Sequence, residues 1–126
     1  MVTVKQMLAA ANEAVPRIAP AEAMALAADP RTLLLDVRDA AEVRVTGKAR
    51  GALNVSRGLL EFRADPESPA HDAAFDRART ILVYCASGGR SALAGRTLKE
   101  MGYGDVRNLG AFRDWVEAGG PTDGPG

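Results

Sequence analysis

The sequence predicts an α/β fold built on a mostly parallel sheet, and three observations carry that expectation. Thr32–Val37 and Ile81–Tyr84 are short, nearly continuous apolar runs, the pattern of strands covered on both faces. Segments with helical spacing alternate with the strand candidates along the chain, as crossover connections between parallel strands require. The chain has 126 residues, room for one domain with one sizeable core.

The elements follow in order. Thr3-x-x-Gln6 has capping-box spacing. Behind it Val4, Met7, Leu8, Ala11 and Val15 fall on one face of an amphipathic helix, which Pro16 stops. Pro20 suits the first turn of a second helix, with Glu22 near the positive end of its dipole, and Asp29-Pro30 closes it in a turn. The strand Thr32–Val37 comes next. Ala52–Val55 and Val106–Leu109 are shorter strand candidates on either side of Ile81–Tyr84 in the chain. Helices are expected over Arg57 to about Arg63, Asp72 to about Ala78, Ser91 to Met101 and Ala111 to Glu117, with Gly102 suited to the residue past a helix end. Gly119–Gly126, rich in glycine and proline, reads as a mobile tail.

Composition narrows the function classes. Hydrophobic residues make up 47% and charged residues 25%, which fits a globular domain and excludes disorder as a description of the whole. Sixteen basic residues balance sixteen acidic ones, so no basic surplus exists to displace counterions and no nucleic-acid partner is expected. No apolar run approaches the ~18–20 residues of a membrane span. The first residues, Met1–Gln6, lack a signal-peptide pattern, so a cytoplasmic address and a reduced thiol are expected. Cys85 is the one cysteine and His71 the one histidine. An intramolecular disulfide is therefore excluded, as are multi-thiolate and two-histidine metal sites; no metal and no cofactor are expected.

The chemistry concentrates at Ile81–Ser91. An apolar strand ends at Cys85, the small residues Ala86, Ser87, Gly88 and Gly89 follow, and a helix begins near Arg90 and Ser91. Ligands of open α/β sheets bind beyond the carboxyl ends of strands, where Cys85 sits. A loop of small residues can curl so that its N–H groups converge on one point, an anion-binding nest, and glycine permits the backbone angles this needs. The helix N-terminus and the Arg90 guanidinium both favour thiolate over thiol. A lone cysteine after an apolar strand is often a small buried hydrophobe, but a core filler needs neither the small loop nor the arginine behind it. Asp36, ending an apolar strand, reads as a structural acceptor for backbone N–H groups or for Arg38 rather than as a catalytic acid. His71, after Ser68-Pro69-Ala70, reads as a solvated surface residue at a helix start. Arg57 flanks Gly58–Phe62 and is a candidate pocket residue. Trp115 is expected in the core with its indole N–H bonded to backbone.

These motifs resemble the single-domain rhodaneses, whose active-site loop reads Cys-x-x-x-x-Arg between a central strand and a helix. The resemblance covers about residues 18–121. It rests on Leu33–Arg38 with Glu42, on Gly47–Val55, on Cys85–Arg90, and on Leu109–Trp115 with Gly119-Gly120-Pro121. It implies a central sheet of about five strands with helices on both faces and an extra N-terminal helix over residues 1–17. Residues 122–126 would be a flexible tail. It also implies a sulfurtransferase: Cys85 as nucleophile carrying a persulfide, the loop Ala86–Ser91 binding the donor and the persulfide, and Asp36 structural. The implied partners are a small sulfur donor such as thiosulfate and a thiol or cyanide acceptor, or a protein acceptor, with the chain monomeric or homodimeric. Lys48 stands where the family usually has histidine and Arg50 where it usually has proline, which makes Lys48 and Arg50, with Arg57, candidate residues of the substrate rim. The family's thiosulfate enzymes carry basic residues inside the loop, so small residues there imply modest activity on thiosulfate and preference for another donor. Two alternatives stand beside this: a persulfide carrier in a sulfur relay, and a phosphatase or arsenate reductase, whose related loops hold one more residue before the arginine.

Overall fold

Side-chain parity along the apolar runs decides how the layers form. In a strand, successive side chains face opposite sides of the sheet. Leu33, Leu35, Ile81, Val83 and Cys85 therefore belong to one core, and Leu34, Leu82 and Tyr84 to another. A sheet with apolar residues on both faces needs helices on both.

The computed structural model describes residues 1–124. Its elements run α1 (Val4–Ala14), α2 (Pro20–Ala27), β1 (Thr32–Asp36), α3 (Ala40–Thr46), β2 (Lys48–Ala49) and β3 (Leu53–Asn54). A 3₁₀ turn (Arg57–Leu59) then leads into α4 (Leu60–Ala64), β4 (Thr80–Cys85), α5 (Gly89–Glu100), β5 (Asp105–Ala111), α6 (Phe112–Glu117) and β6 (Thr122–Asp123). The main sheet has the order β3-β1-β4-β5, and every neighbouring pair is parallel. One face carries Ala94 and Leu98 of α5 and Leu60 and Ala64 of α4. The other carries Ala23 of α2 and Phe112 and Trp115 of α6. No helix among the described residues is long and apolar enough to cross a membrane.

The N-terminal helix is capped as expected: the Thr3 hydroxyl accepts the Gln6 N–H at 3.2 Å and Gln6 Oε1 accepts the Thr3 N–H at 2.9 Å. Its far end belongs to the core. Ala11 and Val15 are buried, and the Val15 methyls sit where a Cβ on Gly95 of α5 would come within 3.0–3.1 Å. Val4 and Met7, on the same face, stay exposed.

Three expectations are corrected, and one element is added. The main sheet has four strands, not about five; Lys48–Ala49 instead form an antiparallel ribbon with Thr122–Asp123. That ribbon also places Thr122 and Asp123, assigned by composition to a mobile tail, while Pro125 and Gly126 lie outside the described residues. Asp72–Ala78 forms successive turns rather than a helix. There Asp72 Oδ1 accepts the Ala74 N–H at 2.9 Å and Asp76 Oδ1 accepts the Ala78 N–H at 2.8 Å. Aspartate side chains thus take the donors that a helix would use, and His71 opens no helix. Finally, α3 was not anticipated. It starts behind Asp39, whose N–H donates to Glu42 Oε2 at 3.0 Å.

Candidate active site

β4 is flanked by β1 and β5, so its last residue, Cys85, opens at the carboxyl edge of the sheet's middle. Parity turns its side chain to the α5 face, where it is fully buried. The chain then makes a three-residue loop, Ala86–Gly88, and enters α5 at Gly89. Gly88 makes this turn possible with φ +103°, a left-handed conformation that side chains resist. A Cβ there would meet the Gly110 backbone at 3.6 Å, an ordinary contact, so it is the backbone angle that favours glycine. The curl brings the Gly88 N–H to 3.0 Å and the Ser91 N–H to 3.4 Å from Cys85 Sγ, with the Ser91 hydroxyl 3.4 Å away. Burial is the strongest single influence on the thiol and opposes ionisation. Hydrogen bonds from the Ser91 hydroxyl and from the N–H groups of Ser91, Gly88 and Ser87 together outweigh it, so the thiol is held below its ordinary value.

Arg90 follows the loop, but its guanidinium is committed elsewhere. Glu42 of α3 grips it end-on, Oε2 accepting from Nη1 at 2.7 Å and Oε1 from Nη2 at 2.9 Å. The Arg90 contact, with the Asp39 N–H adding to it, pulls the Glu42 carboxyl down to about 2. Glu42 thereby caps α3 and holds the start of α5. The sequence offered a signal for the helix start, the Asp39-x-x-Glu42 spacing, but none for the partner that Glu42 would meet.

Asp36 and Arg38 form a buried pair beneath the site, Nη2 to Oδ2 at 2.8 Å. Asp36 Oδ1 also accepts the Arg38 backbone N–H at 2.9 Å, and the guanidinium donates to Thr46 Oγ1 and the Gly47 carbonyl, each at 2.8 Å. Its flat face covers the Phe112 ring at 4.4 Å. Each guanidinium nitrogen has a partner, and together they tie the end of β1 to the end of α3.

The other basic candidates do not converge on the loop. Lys48 donates to the Ala52 carbonyl at 2.7 Å and to Asp123 at 3.3 Å, and Arg50 faces the same Asp123 at 3.8 Å. Arg57 bridges Glu61 and Thr97 Oγ1, both at 3.0 Å. His71 lies with Nε2 3.4 Å from the Phe75 carbonyl. Trp115 is buried and its indole N–H donates to the Pro121 carbonyl at 2.9 Å.

Ala86 opens onto a groove of about 390 Å³ that it shares with Arg38, Ala41, Glu42, Val45 and Thr46. A larger concavity of about 710 Å³ lies between Arg17–Pro20 and α6 and contains none of the loop residues. The smaller groove is the one that adjoins the chemistry. Asn108 was expected only as a strand residue. It lies buried behind the loop with Oδ1 2.8 Å from Ser91 Oγ, and the one sequence cue was an amide set within an apolar strand.

Comparison with known proteins agrees with this architecture. The model of the rhodanese-like domain matches residues 19–118. A sulfurtransferase of Allochromatium vinosum is 35% identical over 94 residues, 74% of this chain and 79% of that protein. A protein of unknown function from Rhodopseudomonas palustris, described as a "possible tyrosine phosphatase", is 36% identical in sequence. Its structure superposes with a TM-score of 0.90 over 98% of this chain and 96% of that one. The polysulfide-sulfur transferase homodimer of Wolinella succinogenes gives a TM-score of 0.75 at 31% identity, covering 94% of this chain and 85% of that one. The tRNA uridine(34) hydroxylase of Teredinibacter turnerae is 30% identical over 92 residues, 73% of this chain but 28% of that protein's length.

Proposed function

Because this chain belongs to the rhodanese-like domain family, we propose that it is a sulfurtransferase that carries a transferable sulfur on Cys85. The observation that bears most weight is the convergence of the Gly88 and Ser91 N–H groups on Cys85 Sγ at the strand end. In the first half-reaction the thiolate attacks the outer sulfur of a donor such as thiosulfate. The donor's S–S bond breaks, and sulfite leaves with the bonding electron pair. Cys85 then holds a persulfide whose outer sulfur is anionic. In the second half-reaction a thiol or cyanide attacks that outer sulfur, and the Cys85 thiolate departs. The main-chain N–H groups from Ala86 through Ser91 are the charge-stabilising donors, fixed in place before reaction.

Arg90 takes a secondary part. With its guanidinium held by Glu42, it braces the loop and adds a long-range positive charge. Donor selection then falls on the backbone cradle and on the groove beside Ala86. Lys48 and Arg50, joined to Asp123, stay outside this scheme.

The Rhodopseudomonas palustris relative's description raises phosphoryl chemistry as a second reading. Here four residues separate Cys85 from Arg90, and the cradle is drawn around one sulfur atom. A phosphoryl group has three peripheral oxygens to satisfy and needs a wider ring. Intact-protein mass spectrometry after incubation with thiosulfate separates the cases. One added sulfur atom, absent in Cys85→Ser and removed by cyanide, is the expected result. An adduct that survives in Cys85→Ser defeats the assignment, as does efficient Cys85-dependent hydrolysis of an aryl phosphate.

A further inference from the structure

The Ser91 hydroxyl has one proton and three acceptors in reach: Asn108 Oδ1 at 2.8 Å, the Gly88 carbonyl at 3.1 Å and Cys85 Sγ at 3.4 Å. Asn108 is buried in β5. Its orientation is fixed by the backbone, because the Gly110 N–H donates to Oδ1 at 2.9 Å and a donor must meet the oxygen of an amide. An irregularity in the β4–β5 register, where Val83 pairs with Asn108 and Tyr84 with Gly110, brings that N–H round. Oδ1 can only accept, so at 2.8 Å the Ser91 proton is directed to Asn108. In that rotamer the serine oxygen can only accept from the cysteine S–H. Ser91 then gives a thiolate no hydrogen bond; it helps hold the thiol below its ordinary value only when its hydroxyl turns to the sulfur.

We propose that Asn108 is a positioning residue for sulfur chemistry at Cys85, holding the Ser91 proton while the sulfur is neutral and releasing it to the sulfur when it becomes anionic. The proposal rests on Cys85 being the sulfur-carrying nucleophile. No proton leaves serine: the hydroxyl turns about its Cβ–Oγ bond, and the thiol's own proton passes to water. When the hydroxyl turns away, Oδ1 keeps the Gly110 N–H, so no buried acceptor is left unpaired. The backbone of Asn108 is anchored as well, its N–H donating to the Pro16 carbonyl at 2.8 Å and its carbonyl accepting the Ile18 N–H at 3.1 Å. Of the charged groups around this strand end, Arg90 is held by Glu42 and Arg38 by Asp36. Arg17 is exposed, with its guanidinium over Gly110, and its charge is common to both arms of the test below.

The test is a double-mutant cycle read by the pH midpoint of Cys85 alkylation. Asn108→Leu removes the nearer of the two competing acceptors and leaves the Gly88 carbonyl at 3.1 Å, so it is expected to lower the midpoint by about half a pH unit. In the Ser91→Ala background the same change should move it by less than a third as much. Equal shifts in both backgrounds, or none in either, overturn the proposal. Should Asn108→Leu fail to fold, Asn108→Asp retains an acceptor for both donors and holds the hydroxyl more firmly. It is expected to raise the midpoint, and to raise it more with Ser91 present than absent; equal rises overturn the idea. The readout needs no sulfur donor. A protein that obeys the cycle yet gains no sulfur from thiosulfate refutes the sulfur-transfer function and leaves the role of Asn108 intact.

Discussion

Replacing Glu42 by Gln releases the Arg90 guanidinium from its two-pronged grip while keeping the size of the side chain. The contacts of 2.7 and 2.9 Å involve side chains that are each about a third exposed, 37% for Arg90 and 35% for Glu42. Solvent screening at that exposure reduces the pair to about 1 kcal/mol of stability, or about 4 °C in the unfolding midpoint of a domain this size. The carboxyl is displaced from 4.5 down to about 2. A depressed folded-state value means that the contribution is complete above pH 4.5 and is lost as pH falls through about 2. The difference in midpoint between parent and Glu42→Gln should therefore be level from neutral pH to about pH 5 and vanish near pH 2. The functional effect has the opposite sign. An unneutralised Arg90 should lower the Cys85 alkylation midpoint by about half a pH unit. It should also lower the KM for thiosulfate about threefold at low salt, the gain fading as salt rises. Parent-like alkylation and an unchanged KM would show that Arg90 serves the loop regardless of Glu42, and the reasoning fails.

Two further substitutions probe the frame of the site. Gly120→Ala would drive a methyl into the Trp115 indole, which is buried and tied to the Pro121 carbonyl, so chemical denaturation should show a loss of about 2 kcal/mol. Asp36→Ala leaves Arg38 charged and buried, with an expected loss of about 3–5 kcal/mol. Adding Arg38→Met should recover most of it, as an unfolding curve would record.

The layers and the position of Cys85 at a strand end were legible because their signals are local. The runs Thr32–Val37 and Ile81–Tyr84 carry unbroken apolar side chains, and Cys85 followed by Gly88 and Gly89 announces a strand end that must turn sharply. Thr3 and Gln6 advertised a cap, and the cap is there. What escaped depends on partners distant in the chain. Asp123 pairs β6 to β2 through Lys48 and the Gly51 N–H, which a tail rich in glycine and proline conceals. Arg90 was read as a free cation because Glu42 is 48 residues away. Asn108 gave no hint that its amide would meet Ser91. The turns at Asp72 and Asp76 failed for a local reason: helix-like spacing was outweighed by side chains that bond their own backbone.

The parallel order β3-β1-β4-β5 has a consequence for how the site comes into being. Thr32 pairs with Thr80 and Thr80 with Asp105, so the strand that ends in Cys85 is flanked by partners from the far halves of the chain. Closing such loops costs chain entropy before any contact repays it. The cradle donors lie within six residues of Cys85, but the strand end on which they close is held between β1 and β5. A chain in which β4 has not docked between them is expected to alkylate at Cys85 as an ordinary thiol, so the reactivity of this one sulfur reports the native topology.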